Sequence, residues 1–409
     1  MEIAGQARND KEYKNELFMN NFRFCSPTEF IFGKNTVNNT GQSIKKYGGT
    51  KVLIHYGGES AIKSGLLAEV ENDLKNEFID YVKLGGVQPN PIDTMVYQGI
   101  ELCRKEQVNF ILAIGGGSVI DSAKAIAAGV PYAGDFWNFF EGTVTINRAL
   151  PVATILTIPA AGSEGSQSMV ITKKKEGLKK GAGSTFIRPV FSIMDPTLTF
   201  TLPANQTAYG IADMMAHVME RYFTQTQGVD LTDRLCEAIL LSIIKEAPVV
   251  MREPSNYEAR ANIMWAGTMA HNGICGAGRD EDWASHGLEH ELSAFYGVAH
   301  GAGLAVIFPA WMKYVYTSGI DRFVQFAVRV WGIEFTGDKK ETALKGINAL
   351  KEFFSSLGLP VNFSQLGAKS SDIDQLIDTL KINSGGQLGA FRQLDMKDAR
   401  AIYEIAVKG

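Results

Sequence analysis

A short apolar run that leads into three glycines constrains this chain more than any other segment. It reads LAIGGGSVIDSAKA over residues 112–125. The pattern predicts a buried strand, a tight turn and a helix. Glycines let backbone N–H groups approach an anion closely, and a helix N-terminus adds roughly half a positive charge. The turn is therefore interpreted as a pyrophosphate cradle, although it is neither GxGxxG nor a P-loop and a bare strand-to-helix turn also explains it.

A second glycine turn, HYGGES at 55–60, follows an earlier apolar run. Ligands of open α/β sheets bind outside the carboxyl ends of the strands, so this turn suits a ribose or phosphate contact. His55 stands alone in the apolar run and is predicted to be a hydrogen-bonded core histidine. Lys124, one turn into the helix after the first glycine turn, is either a solvated side chain or a ligand contact.

Around these turns, apolar runs alternate with segments of helical spacing, which predicts a parallel sheet with helices on both faces. After residue 203 a period of 3.6 residues dominates, and the second half is predicted to be helical. The sequence before Met19 is polar and lacks the apolar core of a secretory signal. We therefore predict an extension at 1–18, an α/β dinucleotide-binding domain at 19–200 and an all-α metal-binding domain at 201–409.

Composition excludes several classes of protein. The net charge is −4, whereas proteins that bind nucleic acid are usually basic. No apolar run approaches the ~20 residues that a membrane span needs. The four cysteines are far apart in sequence, which argues against a zinc ribbon or a disulfide framework. We expect a cytoplasmic protein that has no nucleic-acid or membrane partner.

Five of the six histidines lie between residues 217 and 300. Asp213 and His217 are four residues apart, so they share one helix face. His286 has the same spacing to His290, and His300 follows a predicted helix break at 296–297. The set Asp213, His217, His286 and His300 can thus converge from three helices, and one carboxylate with three imidazoles suits Zn²⁺ or Fe²⁺. His290 lies outside this set and is a candidate proton carrier or a pocket wall. His271 is predicted to be a structural residue. Glu220 is predicted to support the metal ligands or to have a structural role.

These motifs resemble the iron-containing alcohol dehydrogenase family, in its butanol dehydrogenase-like branch. The resemblance runs from Met19 to Gly409 and is carried by YGGES, GVQPNP, GGGSVIDSAKAIA, TIPAAGSE and HGLEHELSAFYGVAHGAGLAVIFPAW. It implies an α/β nucleotide domain followed by a helical domain, an architecture similar to dehydroquinate synthase. It also implies that the four residues named above hold one divalent metal, Fe²⁺ or Zn²⁺.

The same resemblance assigns roles around the nucleotide. It implies that Asp121 lies near the nicotinamide, that Lys179 contacts the nicotinamide ribose and that Asn90 lies on the adenosine side. His290 and Asp121 are the expected catalytic residues. The remaining expected cofactor contacts are Gly57, Gly58, Ser60, Gly116, Gly117, Ser118, Thr157 and Ser163.

Three positions depart from the family pattern. Glu59 replaces a third glycine beside the adenine ribose, where an acidic side chain normally favours NAD over NADP. Ala161 and Ser166 replace a frequent Thr and Asn in the cofactor loop. We expect NADP(H), with NAD(H) as the alternative that Glu59 would favour.

The predicted reaction is reversible hydride transfer between NAD(P)H and a small aliphatic aldehyde such as butanal, in a homodimer. A glycerol dehydrogenase-like polyol oxidation with NAD is the nearest alternative. A metal-dependent lyase or hydrolase without redox chemistry is less favoured, because the sequence has no HExxH-type general base beside the metal residues. A non-catalytic scaffold is disfavoured because all four metal residues are present.

Overall fold

The computed structural model describes residues 18–409, so nearly all of the predicted extension at 1–18 lies outside the described residues. The described strands all lie in the first half of the chain. They are β1 (Glu29–Phe32), β2 (Lys51–Tyr56), β3 (Asp80–Leu84), β4 (Phe110–Gly116), β5 (Val152–Ile158), β6 (Ser168–Lys173), β7 (Leu178–Gly183) and β8 (Phe191–Met194).

Six of these strands form one parallel sheet in the order β1-β8-β5-β4-β2-β3. Every residue of β4 is buried, as expected for a central strand covered on both faces. Strands β2 and β4 are neighbours, with His55 opposite Ala113. Their carboxyl ends therefore bring the two glycine turns to the same edge of the sheet. The predicted parallel α/β arrangement is confirmed.

The core role of His55 is also confirmed. The residue is fully buried in β2, with Nδ1 lying 2.9 Å from the Leu84 carbonyl oxygen and Nε2 lying 2.9 Å from Ser122 Oγ. Both ring nitrogens are therefore satisfied inside the first half.

Strands β6 and β7 form a separate antiparallel hairpin, with Thr172 opposite Lys179. The sequence analysis did not predict this hairpin, because the lysines and glycines of β7 do not resemble a strand and leave β6 without an evident partner. Strand β7 packs against the second half of the chain, and its Lys179 lies 3.8 Å from Glu289 there.

Helices cover the sheet and build the second half. They are α1 (Thr40–Lys46), α2 (Ser60–Lys63), α3 (Leu66–Asn76), α4 (Asp93–Glu106), α5 (Gly117–Gly129), α6 (Ala204–Tyr222), α7 (Asp230–Arg252), α8 (Tyr257–His271), α9 (Ala284–Tyr296), α10 (His300–Val315), α11 (Ile320–Trp331), α12 (Lys339–Ser356), α13 (Phe363–Leu366), α14 (Ile373–Ser384) and α15 (Met396–Lys408). The predicted helix at 61–77 is divided at Gly65, which has a φ of +82°. The predicted domain boundary near residue 200 falls between β8 and α6.

Helices α6, α9 and α10 position the residues of interest. Helices α6 and α10 pack against each other and are buried along most of their length, while α9 packs on α10. Helix α9 stops at Gly297, whose φ of +68° lets the chain turn back into α10. The predicted break at 296–297 is confirmed. No helix within residues 18–409 is both long and apolar enough to cross a membrane.

Candidate active site

Four side chains converge where α6, α9 and α10 meet. Asp213 and His217 lie one turn apart on α6, His286 lies on α9 and His300 begins α10. Nε2 of His217 is 3.4 Å from Asp213 Oδ1, and Nε2 of His300 is 3.8 Å from the same oxygen. The ring centroids of His217 and His286 are 4.6 Å apart. The structure thus brings together the four residues that the sequence singled out.

The unpaired atoms of this cluster fit a divalent metal ion. Asp213 Oδ1 and His286 Nε2 are buried and have no hydrogen-bond partner within residues 18–409. One donor atom each from Asp213, His286 and His300 lies within 4.8 Å of the other two. Buried polar atoms without partners are costly, so an oxygen and imidazole nitrogens that face one another indicate a ligand set. The donor types suit Zn²⁺ or Fe²⁺.

Burial shifts the pKa values of these groups in opposite directions, and a bound cation would favour the deprotonated form of both. It raises the pKa of Asp213 to about 8, because the carboxylate loses hydration and also faces Glu289. Burial lowers the pKa of His286 to about 3. The imidazole is therefore held in its neutral form, which is the form that binds metals.

Two buried carboxylates fix the orientation of two of the histidines. Glu220 Oε1 lies 2.7 Å from His286 Nδ1, and Glu289 contacts His300 Nδ1. Both glutamates are fully buried. A carboxylate on Nδ1 keeps the hydrogen there and leaves the Nε2 lone pair free for a ligand. Glu289 was missed from the sequence, although its position three residues after His286 places it on the same face of α9.

His290 lies beside the cluster. Its ring centroid is 5.5 Å from that of His300 and 6.5 Å from that of His286. Ligand atoms of Glu289, His290 and His300 also lie within 4.8 Å of one another, so they form a second group that overlaps the first at His300. His290 is thus close enough to the cluster to act on a group bound there.

The first glycine turn is tightly packed at Gly115 and Gly116, while the helix that follows has backbone N–H groups free for an anion. A Cβ atom on Gly115 would lie 2.5 Å from Val119 Cγ2, and one on Gly116 would lie 2.9 Å from Ile158 Cβ. Helix α5 begins at Gly117, and no side chain caps its first turn. Its backbone N–H groups therefore remain available to a phosphate. The second turn is close by, because a Cβ atom on Gly57 would lie 3.6 Å from Val119 Cγ2.

Asp121 and Lys124 hold the loop that follows β5. Asp121 Oδ1 accepts a hydrogen bond from Ser163 Oγ at 2.6 Å, and Oδ2 accepts one from the Val170 N–H at 2.8 Å. Lys124 Nζ is fully buried and donates to the carbonyl oxygens of Ser163, Ser166 and Ser168 at 2.7–3.0 Å. Lys124 is therefore neither a solvated side chain nor a free ligand contact. Both Asp121 carboxylate oxygens thus accept hydrogen bonds from the protein, so Asp121 positions this loop, and its expected catalytic role stays a prediction.

Lys179 reaches from β7 towards the helical half. Its Nζ donates to Asn90 Oδ1 at 3.0 Å and lies 3.8 Å from Glu289 Oε2. Asn90, expected on the adenosine side, is thus a direct neighbour of Lys179, expected at the nicotinamide ribose. Through Glu289, Lys179 of the first half is also connected with His300 of the helical half.

Comparison with known proteins identifies the family. Residues 27–196 match the family model described as iron-containing alcohol dehydrogenase, and residues 207–407 match the C-terminal model of the same family. The chain belongs to the iron-containing alcohol dehydrogenase family. It is accordingly an NAD(P)-dependent oxidoreductase, as the sequence predicted.

Relatives within the iron-containing alcohol dehydrogenases cover nearly the whole chain. The NADH-dependent butanol dehydrogenase A of Clostridium acetobutylicum is 42% identical, over 94% of this chain and 99% of its own. The NADPH-dependent aldehyde reductase YqhD of Escherichia coli is 39% identical, over 95% of this chain and 100% of its own. The solved structure of NADH-dependent butanol dehydrogenase A from Thermotoga maritima has a TM-score of 0.92 at 41% identity, over 95% of this chain and 99% of that chain. The predicted branch and the alcohol dehydrogenase or aldehyde reductase class are confirmed.

Proposed function

We propose that this enzyme reduces small aliphatic aldehydes such as butanal, and oxidises the matching alcohols, at a metal held by Asp213, His217, His286 and His300. The observation that carries the proposal is the pair of buried, unpartnered donor atoms, Asp213 Oδ1 and His286 Nε2. When bound, the metal supplies a Lewis acid for the carbonyl oxygen. The family description favours iron, while the donor set also suits Zn²⁺.

The protein's own residues bind and orient the reactants. The backbone at 116–118 binds the pyrophosphate, and Lys179 orients the nicotinamide ribose with Asn90 beside it. Asp121 and Lys124 keep the Ser163 loop in place against the nicotinamide end. His290 relays a proton to the product oxygen. The other proposed nucleotide contacts are Gly57, Gly58, Ser60 and Thr157.

NADPH is the proposed nucleotide, with NADH as the alternative. The Glu59 side chain is 74% exposed and forms an ion pair with Lys63, one turn further along. Lys63 thus offsets the negative charge that would repel a 2′-phosphate. The NADH-dependent relatives support the alternative. Replacing Glu59 by Gly is expected to raise the ratio of kcat/KM with NADPH to that with NADH, and an unchanged ratio would exclude Glu59 as a discriminator.

One relative supports an alternative class of substrate. The 1,3-propanediol dehydrogenase of Citrobacter freundii is 27% identical over 94% of this chain. Oxidation of a diol or of glycerol with NAD is therefore a second candidate. Comparing butanal reduction with diol and glycerol oxidation separates the two.

Activity of metal-loaded protein tests the proposal. We expect protein reconstituted with Fe²⁺, Zn²⁺ or Mn²⁺ to oxidise NADPH or NADH in the presence of C2–C6 aldehydes. Asp213→Ala and His286→Ala should abolish this activity. Asp374→Ala, a change at an exposed residue of α14, should leave it intact. An enzyme inert with both nucleotides, every aldehyde and every metal would contradict the proposal.

We further propose that the enzyme is a homodimer located in the cytoplasm. Strand β1 is an edge of the large sheet, and the exposed rings of Phe22 and Phe24 lie shortly before it in the chain. Cys25, Cys103, Cys236 and Cys275 are all free thiols, which suits a reducing compartment. Light scattering during gel filtration measures the mass of the assembly.

A further inference from the structure

His271, the last residue of α8, lies beside the proposed metal residues. Its ring centroid is 4.3 Å from that of His217 and 6.0 Å from that of Trp283. A Cβ atom on Gly162 would lie 2.9 Å from His271 Cβ, so the loop after β5 packs directly against this residue. His271 therefore lies between the nucleotide loop and the metal residues, where substrate and nicotinamide must meet.

Arg221 determines which nitrogen of His271 carries the hydrogen. Its Nη2 lies 3.0 Å from His271 Nδ1. A guanidinium group has donors only, so Nδ1 accepts and the hydrogen is on Nε2. Arg221 is itself held firmly: Nη1 donates to the His217 carbonyl oxygen at 2.6 Å, and Nε donates to Glu281 Oε1 at 3.1 Å. Its guanidinium carbon lies 4.6 Å from the centroid of the Trp283 ring.

The Nε2–H group of His271 has no acceptor among residues 18–409, and the side chain is only partly buried. His55, by contrast, has partners for both ring nitrogens. His286 and His300 each have a carboxylate on Nδ1. A fixed donor without a protein partner, beside a reaction centre, is typical of a group that recognises a substrate oxygen.

We propose that His271 is a specificity-determining residue that donates a hydrogen bond to an oxygen on the carbon next to the substrate carbonyl. This inference rests on the proposed aldehyde reductase function. Because the His271 ring adjoins His217, its N–H group can reach an oxygen close to the substrate carbonyl but not one at the far end of the substrate. We therefore expect the hydrogen bond to raise kcat/KM for small 2-hydroxy aldehydes.

The experiment compares 2-hydroxypropanal with propanal in the wild type, His271→Phe and His271→Gln. Phe keeps a ring and removes the N–H group, whereas Gln retains an amide donor. Loss of one neutral hydrogen bond should lower the kcat/KM ratio of 2-hydroxypropanal to propanal about fivefold to tenfold in His271→Phe. His271→Gln should retain most of the ratio. The free fraction of each aldehyde is the same for every variant, so hydration cancels from the comparison.

A ratio in His271→Phe equal to that of the wild type overturns the inference. An equal loss for both aldehydes also overturns it, because a structural role would affect both. Should the Phe variant not fold, His271→Leu gives the same comparison with a smaller side chain. Wild-type enzyme that reduces no aldehyde contradicts the proposed function itself, whereas active enzyme with an unchanged ratio contradicts only the role of His271.

Discussion

Glu220 forms hydrogen bonds with both the ring and the backbone of His286. Its Oε1 lies 2.7 Å from Nδ1 of the ring and accepts the backbone N–H of the same residue at 2.9 Å. Oε2 accepts the Trp283 N–H at 2.9 Å. One carboxylate on α6 therefore fixes both the start of α9 and the ring orientation of a proposed metal ligand.

Glu220→Gln should weaken metal binding about tenfold to a hundredfold. The amide NH₂ must face one of the N–H donors that the carboxylate now accepts, so the His286 ring loses its fixed orientation. Zn²⁺ titration of metal-free protein against a chromophoric chelator measures the affinity. Glu237→Gln, which alters a buried carboxylate that contacts Tyr222 rather than a histidine, serves as the control. Equal affinities in the two variants would contradict this role of Glu220.

Glu289→Gln should also weaken metal binding, because the amide has one acceptor oxygen where the carboxylate offers two, one to Ser293 Oγ and one to His300 Nδ1. Glu291→Gln is a closely matched control, since Glu291 is a buried carboxylate two residues along α9 that accepts from Asn383 instead. We expect the Glu291 variant to bind Zn²⁺ within about twofold of the wild type. The visible absorption of Co²⁺-substituted protein should change only in the Glu289 variant. Identical spectra for all three proteins would contradict the prediction.

Lys124→Met should destabilise the protein by about 3 kcal/mol, because a buried charge that bonds several carbonyl oxygens is lost and those acceptors remain without partners. Urea unfolding measures this change. The loop that carries Ser163 should loosen as well, so the Kd for the nucleotide should rise. Lys105→Met, at an exposed position on α4, should alter neither quantity. A variant with wild-type stability and nucleotide affinity would show that the Lys124 network is dispensable.

His55 should make stability depend on pH. Burial lowers its pKa to about 4, whereas a histidine in the unfolded chain has a pKa of ~6.5. Between these values the unfolded state binds more protons, so stability is fully present above pH ~6.5 and falls as the pH decreases towards the folded pKa. From pH 7.5 to 5.5, the free energy of unfolding should fall about 1.4 kcal/mol more in the wild type than in His55→Gln.

The other titratable groups are common to both proteins and cancel from that difference. Unfolding by urea at the two pH values supplies the measurement. If wild type and His55→Gln lose the same free energy, His55 does not titrate in this window.

Periodicity was sufficient to predict the parallel sheet and the helices of the second half. Buried parallel strands are continuous apolar runs, and amphipathic helices repeat every 3.6 residues, so both leave a local signal. The β6–β7 hairpin left only a weak signal, because β6 buries just two apolar side chains, Met169 and Ile171, and β7 is rich in lysine and glycine. The division at Gly65 was missed for a similar reason: one residue with positive φ does not change the helical spacing around it.

The histidine spacing was sufficient to predict which side chains gather on α6, α9 and α10. It indicated Glu220 as a partner of the metal residues, but it could not show that Glu220 on α6 contacts His286 on α9, because the two residues lie 66 positions apart. Lys124 looks like a surface residue in sequence, and its burial follows from carbonyl oxygens about 40 residues further along. Glu289 resembles any helical glutamate until α10 folds back and brings His300 to it. Tertiary contact thus decides the role of a charged residue when local pattern does not.

The 3.8 Å distance between Lys179 and Glu289 also limits which chimeras of this enzyme and its relatives can be built. The obvious point for a crossover is near residue 200, because the sheet ends before it and the helical half begins after it. That crossover would nevertheless take the lysine from one parent and the glutamate from the other. A chimera is therefore expected to be active only where the two parents carry a compatible lysine–glutamate pair. The two halves must then be exchanged as a matched set, although each is formed by a separate stretch of chain.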